Sequence, residues 1–332
     1  MFGTGLASYN DKGLGRPPDG FDPTTYDRRT QEVIMIRSRI ATIAFAALLS
    51  ASTLAGAAEL TGTLKKVSES GTLTIGYRES SVPFSYLLAD GKPAGYAFEV
   101  CRAVGEAVKA ELNMPDLKIR YQAVTSANRI PLIQNGTVDI ECGSTTNSLV
   151  RQREAAFGTN YFGIQVTAAV AKSSNIRSLK DLNGKNIAVT SGTTSVALLK
   201  KYEKENGLRF RFLMTKDFAE AMQLVANHRA DAFVIDDVLL AGQIANLDNP
   251  QDFMILDESL SVEPYGPMFR KDDPAFKALV DRTVTNLITS GKLAELYTTW
   301  FERPIPPKNV NLNFPMNSYT KELFANPNDR GI

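Results

Sequence analysis

Four short segments of this chain carry side chains suited to holding a small charged molecule. They are Gly76-Tyr77-Arg78-Glu79-Ser80-Ser81, Thr125-Ser126-Ala127-Asn128-Arg129, Cys142-Gly143-Ser144-Thr145-Thr146-Asn147 and Ser191-Gly192-Thr193-Thr194-Ser195. Each follows a stretch with strand character. A carboxylate is best held by a guanidinium fork or by free N–H groups at a helix start. Arg129, in the first turn of a short predicted helix, offers both. The fourth segment presents N–H groups and the hydroxyls of Thr193 and Thr194 at another helix start. An ammonium needs acceptors, and Asp236, closing a predicted strand, is the obvious one. Together these groups suit an amino acid zwitterion. Singly, each has an ordinary reading: Ser and Thr at helix starts cap them, an arginine after a strand lies on the surface, and Asp236-Asp237 matches a helix dipole.

Catalytic chemistry finds less to work with. The single histidine, His228, stands beside Arg229 at an expected helix end, where it reads as a terminal charge or surface residue. No Cys, His and carboxylate set has metal-ligand spacing. No phosphate-binding loop or dinucleotide fingerprint follows a strand, and an acyl-transfer triad has no histidine to use. No catalytic residue, metal or cofactor is expected. The balance of 37 basic and 36 acidic side chains gives no electrostatic footprint for nucleic acid.

The elements that must position these groups alternate along the chain. Strand patterns cover 73–77, 118–124 and 138–142, with helical spacing over 98–112 and 128–134. A second block, from about 164 to 256, has strands over 187–190, 212–215 and 231–236, and helices from 196, over 217–226 and over 238–245. Two more helices are expected over 276–290 and 293–301. This order predicts an α/β fold with mostly parallel sheets, and two such blocks imply two lobes with a ligand cleft between them.

The N-terminal region reads as export. Residues 1–34 are read as disordered or as an upstream extension. From Met35, the basic Arg37 and Arg39, an apolar run over 40–54 and the small residues Ala55-Gly56-Ala57 form a signal peptide over 35–57. A membrane anchor is the alternative, although the run is shorter than the roughly 20 residues a spanning helix needs. The two cysteines, Cys101 and Cys142, allow one bridge in an oxidising compartment, and spacing alone does not decide whether they pair.

Longer segments carry a resemblance. Arg78-Glu79-Ser80-Ser81-Val82-Pro83-Phe84-Ser85-Tyr86, Asn128-Arg129-Ile130-Pro131-Leu132, Glu141-Cys142-Gly143-Ser144-Thr145-Thr146-Asn147 and Pro304-Ile305-Pro306-Pro307-Lys308-Asn309 make the chain resemble the periplasmic glutamate/aspartate-binding proteins of ABC importers, over about 62–330. The resemblance implies a two-lobed periplasmic-binding-protein fold of the second type, with a double-crossing hinge. Lobe 1 would hold 58–163 and 263–332, and lobe 2 would hold 164–262. It also implies roles: Arg129 for the ligand α-carboxylate, Asp236 for the α-ammonium, Arg78 for a side-chain carboxylate, and Ser126, Ser144, Thr146 and Thr194 for further hydrogen bonds. Two positions depart from the family. Phe218 stands where relatives use a histidine, so it either faces the ligand or packs into the core. Pro267 stands where relatives can carry a cysteine, which leaves the partner of Cys142 open.

The expected function is therefore capture of glutamate, aspartate or a close relative by cleft closure. The protein would be a periplasmic monomer that delivers its ligand to ABC permease subunits and does not bind nucleic acid. The alternatives are a dehydratase-like enzyme on the same scaffold, with Glu141 and Glu79 as the only nearby acids or bases, and a ligand-sensing module.

Overall fold

The computed structural model describes residues 59–332, so the signal peptide and the upstream extension lie outside the described residues. The described chain opens with α1 (Gly62–Ser70) and β1 (Thr72–Tyr77), whose four central residues are buried. A small three-stranded sheet follows, from β2 (Ser80–Ser81), β3 (Ser85–Leu87) and β4 (Pro93–Ala94). In α2 (Tyr96–Glu111) the buried Val100, Val104 and Val108 recur at four-residue spacing, which lays one apolar stripe on the sheet. Next come β5 (Lys118–Ala123), α3 (Arg129–Gln134), β6 (Ile140–Glu141) and β7 (Ala156–Phe157). The strand pattern over 138–142 pairs only at its centre, because the Val138 N–H turns back to the Leu132 carbonyl at 3.0 Å.

The chain then enters β8 (Phe162–Ala171), followed by β9 (Asn186–Thr190), α4 (Ser195–Asn206), β10 (Arg211–Thr215), α5 (Phe218–Ala226), β11 (Ala232–Asp236), α6 (Asp237–Ala245) and β12 (Phe253–Ile255). It returns through β13 (Ser261–Tyr265) into β14 (Met268–Phe269), then α7 (Pro274–Thr289), α8 (Lys292–Phe301), the hairpin β15 (Pro304–Ile305) with β16 (Val310–Asn311), and α9 (Ser318–Ala325). Among the described residues no helix is long and apolar enough to cross a membrane.

Two mixed sheets share one plan. The first has strand order β5-β1-β6-β14-β7 and the second β10-β9-β11-β8-β12, with β13 also on β8. In each, three strands joined through helices run parallel, and the rest pair antiparallel. The antiparallel strand next to the parallel three is the one that arrives from the other sheet: β14 in the first, β8 in the second. Such a strand has no crossover helix to set its direction, so it is free to run the other way.

The two crossings, over 158–161 and 266–267, pass beside an aromatic cluster of Phe84, Tyr96, Tyr161, Phe162, Tyr265, Tyr297 and Phe301. Its ring centroids lie as close as 4.4 Å for Tyr297–Phe301 and 4.8 Å for Phe84–Phe162. Cys101 of α2 and Cys142, just beyond β6, form a disulfide with a Cα separation of 5.6 Å. The partner left open by Pro267 is therefore Cys101.

Candidate functional site

Strand ends and helix starts from both sheets converge on one buried polar cluster. Arg78 follows β1 and is only 2 % exposed. Its Nη2 donates to Ser126 Oγ at 2.7 Å and its Nη1 to Ser144 Oγ at 3.4 Å, while its guanidinium lies 5.0 Å from the Phe218 ring centroid. Desolvation, with the neighbouring Arg129 charge, lowers its pKa to about 10, so it stays charged at neutral pH. Arg129, the first residue of α3, is equally buried. Its fork is loosely held, by the Ser144 carbonyl at 3.3 Å and the Gly192 carbonyl at 3.5 Å. Its Nε has no hydrogen-bond partner among the described residues. In the turn before the helix Thr125 and Asn128 bond each other: the Thr125 N–H donates to Asn128 Oδ1 and the Asn128 N–H to Thr125 Oγ1. That leaves Ser126 and Arg129 for the site.

The acidic side is built from the second sheet and β13. Asp236 closes β11 and stands at the N-cap position of α6, yet it makes no capping bond. Its neighbour Asp237 takes the local N–H groups of Gln165 and Val238. Asp236 instead accepts a short hydrogen bond from the Tyr265 hydroxyl through Oδ2, and its Oδ1 has no partner among the described residues. Burial, then the nearby Glu263 charge, push its carboxyl up to about 8. Thr194, at the N-cap position of α4, likewise makes no cap. Its hydroxyl donates to Glu263 Oε2 at 2.9 Å, and that of Thr146 donates to the same oxygen at 2.7 Å. The capping role read from the serine and threonine types is therefore not played by the N-cap residues of α3 and α4, neither of which makes a side-chain cap.

Arg78, Ser126, Arg129, Ser144 and Phe218 are thus linked directly, Thr146 and Thr194 share Glu263, and Asp236 is tied to Tyr265. Thr193 is the exception: its hydroxyl and its N–H both turn back to the Thr190 carbonyl of its own loop. Phe218 opens α5, held there by the Asp217 cap on Glu220 N–H.

Three residues not singled out from sequence join the cluster. Glu263 is 1 % exposed. Tyr265 is the partner of Asp236. Arg151, half-buried at the rim, donates to the Thr146 carbonyl at 2.9 Å and to the Gly192 carbonyl at 3.0 Å, so it ties the two loop systems together. At Gly192, with φ of 81°, a Cβ would overlap the Ser126 carbonyl, and the same holds at Gly242 against the Val82 carbonyl. The two sheet units meet at these bare backbones, and Gln243 Nε2 adds a bond to the Ser80 carbonyl at 2.7 Å.

Guanidinium donors thus stand on one side of a buried polar cluster and carboxylate acceptors on the other, where the two α/β units meet. The family of bacterial extracellular solute-binding proteins, family 3, matches residues 73–303, and the chain belongs to it. It is 47 % identical to the L-glutamate/L-aspartate-binding protein of Pseudomonas aeruginosa, over 88 % of this chain and 97 % of that one. It is 44 % identical to the glutamate/aspartate import solute-binding protein of Escherichia coli K12, over 81 % and 89 %. Among solved structures it resembles an ancestral amino acid-binding protein described as a precursor of cyclohexadienyl dehydratase, with TM-score 0.62 and 27 % identity, over 72 % of this chain and 99 % of that one.

Proposed function

We propose that this protein captures an acidic amino acid, glutamate, aspartate or a close relative, and hands it to the permease of an ABC importer. It would act outside the cytoplasmic membrane, as a periplasmic monomer. The observation that carries the reading is the pairing of unspent buried groups: Arg129 Nε on one side and Asp236 Oδ1 on the other. Buried polar atoms without partners are costly, and the carboxylate and ammonium of an amino acid would satisfy both. Arg78, with Ser126 and Ser144 beside it, would take the second carboxylate. The names of the two bacterial relatives support this choice of ligand.

In this reading the lobes are 58–163 with 263–332, and 164–262. They part at the crossings, and ligand bridging both stabilises the closed form. No bond chemistry is involved, so ligand recovered after incubation is unchanged.

A thermal-shift screen against the common amino acids tests the proposal. A ligand at a hundred times its Kd stabilises the fold by about 2.7 kcal/mol. Glutamate and aspartate should raise the melting temperature more than their amides do. The absence of a shift with every amino acid would refute the reading.

A further inference from the structure

Glu263 lies on β13, outside every loop that the sequence marks as polar, and all its side-chain hydrogen bonds are to hydroxyls. Oε2 accepts from Thr146 Oγ1 at 2.7 Å and from Thr194 Oγ1 at 2.9 Å, and Oε1 accepts from Ser261 Oγ at 2.8 Å. A hydroxyl carries one proton and two lone pairs. Both threonines spend their proton on Glu263, so toward the cleft each can only accept. At the other side Ser126 Oγ accepts from Arg78 and keeps its own proton to give. The cleft is polarised by hydroxyls as well as by charges.

We propose that Glu263 is a positioning residue that turns Thr146 and Thr194 into acceptors, so that the part of the cleft beside them and Asp236 takes a protonated amine and rejects a carboxylate. This fixes which way round a zwitterion lies. The inference rests on the amino acid reading of the site. Glu263 has a second consequence: Thr146 follows β6 of the first sheet and Thr194 follows β9 of the second, so one carboxylate oxygen sets a hydroxyl on each side of the cleft.

The test is calorimetric binding of L-glutamate and of glutarate, the same dicarboxylate without its amine. Glu263→Gln has nearly the same shape but can donate, which releases a threonine proton toward the cleft. It should weaken glutamate about tenfold or more, the scale of a lost hydrogen bond to a charged group, while glutarate binding holds or tightens. The Glu263→Gln loss should shrink by at least about threefold in a Thr194→Val background, because the two residues then act as one unit. Thr194→Ser, which keeps the hydroxyl, should bind glutamate at least about threefold more tightly than Thr194→Val, which loses it, a comparison that stands even if Glu263→Gln fails to fold. Equal losses for glutamate and glutarate, additive losses in the cycle, or Thr194→Val binding as tightly as Thr194→Ser would overturn the inference. Wild-type protein that binds neither glutamate nor aspartate would instead count against the function proposed above.

Discussion

The Phe218 ring meets the Arg78 guanidinium at 5.0 Å and the Phe233 ring at 6.4 Å, so one side chain both borders the site and packs into the core. A cation over an aromatic face gains about 0.5–2 kcal/mol, but a phenyl ring gives a ligand no hydrogen bond. Phe218→His should sharpen the preference for glutamate over glutamine by about 1 kcal/mol. Calorimetry above and below pH 6.5 separates the donor from the added charge of a protonated imidazole; an unchanged ranking at both pH values would remove Phe218 from the site.

Asp236, with its carboxyl raised to about 8, holds a proton at pH 7 in the unliganded site. A ligand ammonium favours the charged form and lowers that pKa. Binding at pH 7 therefore releases a proton, and affinity rises with pH and levels off only above about 8, as the unliganded carboxyl loses its proton. Titrations in buffers of different ionisation heat should give different apparent enthalpies, and identical ones would place the ammonium elsewhere. Arg129 and Asp236 could be read from sequence because residue type and position at an element end suffice. Glu263 and Arg151 could not, since their partners come from segments 117 and 41 residues away.

At the scale of elements, α6 presents Gly242 to the Val82 carbonyl with no room for a Cβ. Alanine in a helix interior is favoured over glycine by roughly 0.8–1.0 kcal/mol, so Gly242→Ala should not weaken α6 itself. It should instead hold the sheet units apart. The expected outcome is weaker glutamate binding, mostly through faster dissociation, with no loss of helical signal on chemical unfolding. Undiminished affinity would mean that Val82 and α6 do not approach in the bound state.

Helices such as α2 announced themselves through a four-residue apolar rhythm, and β1 through its apolar core between turn residues. The strands that link the two sheets were harder to see. Nine of ten residues in β8 are buried, so it lacks the alternation that marks a half-buried strand. Pro264 interrupts the pattern of β13, and prolines argue against a strand interior. The parallel, helix-connected half of each sheet was legible, while the antiparallel half depends on contacts made only after the chain crosses over.

For the whole molecule, the Cys101–Cys142 bridge closes a stretch with sequence separation 41 and ties α2 to the loop that carries Ser144 and Thr146. Replacing both cysteines by serine should cost about 2–4 kcal/mol of unfolding free energy, read from denaturant midpoints. The order of preference among ligands should survive, because none of the side-chain hydrogen bonds that build the polar cluster involves either cysteine; a reordered ranking would show that the bridge shapes the pocket. The bridge also settles how the molecule can be watched at work. Both cysteines of the sequence are consumed in it, so a thiol introduced at the 67 % exposed Val150 would be the only one open to a dye. That position adjoins Arg151, whose guanidinium reaches Gly192 across the seam. A fluorophore there would convert the closing of the cleft into a change of light, making the protein its own optical sensor.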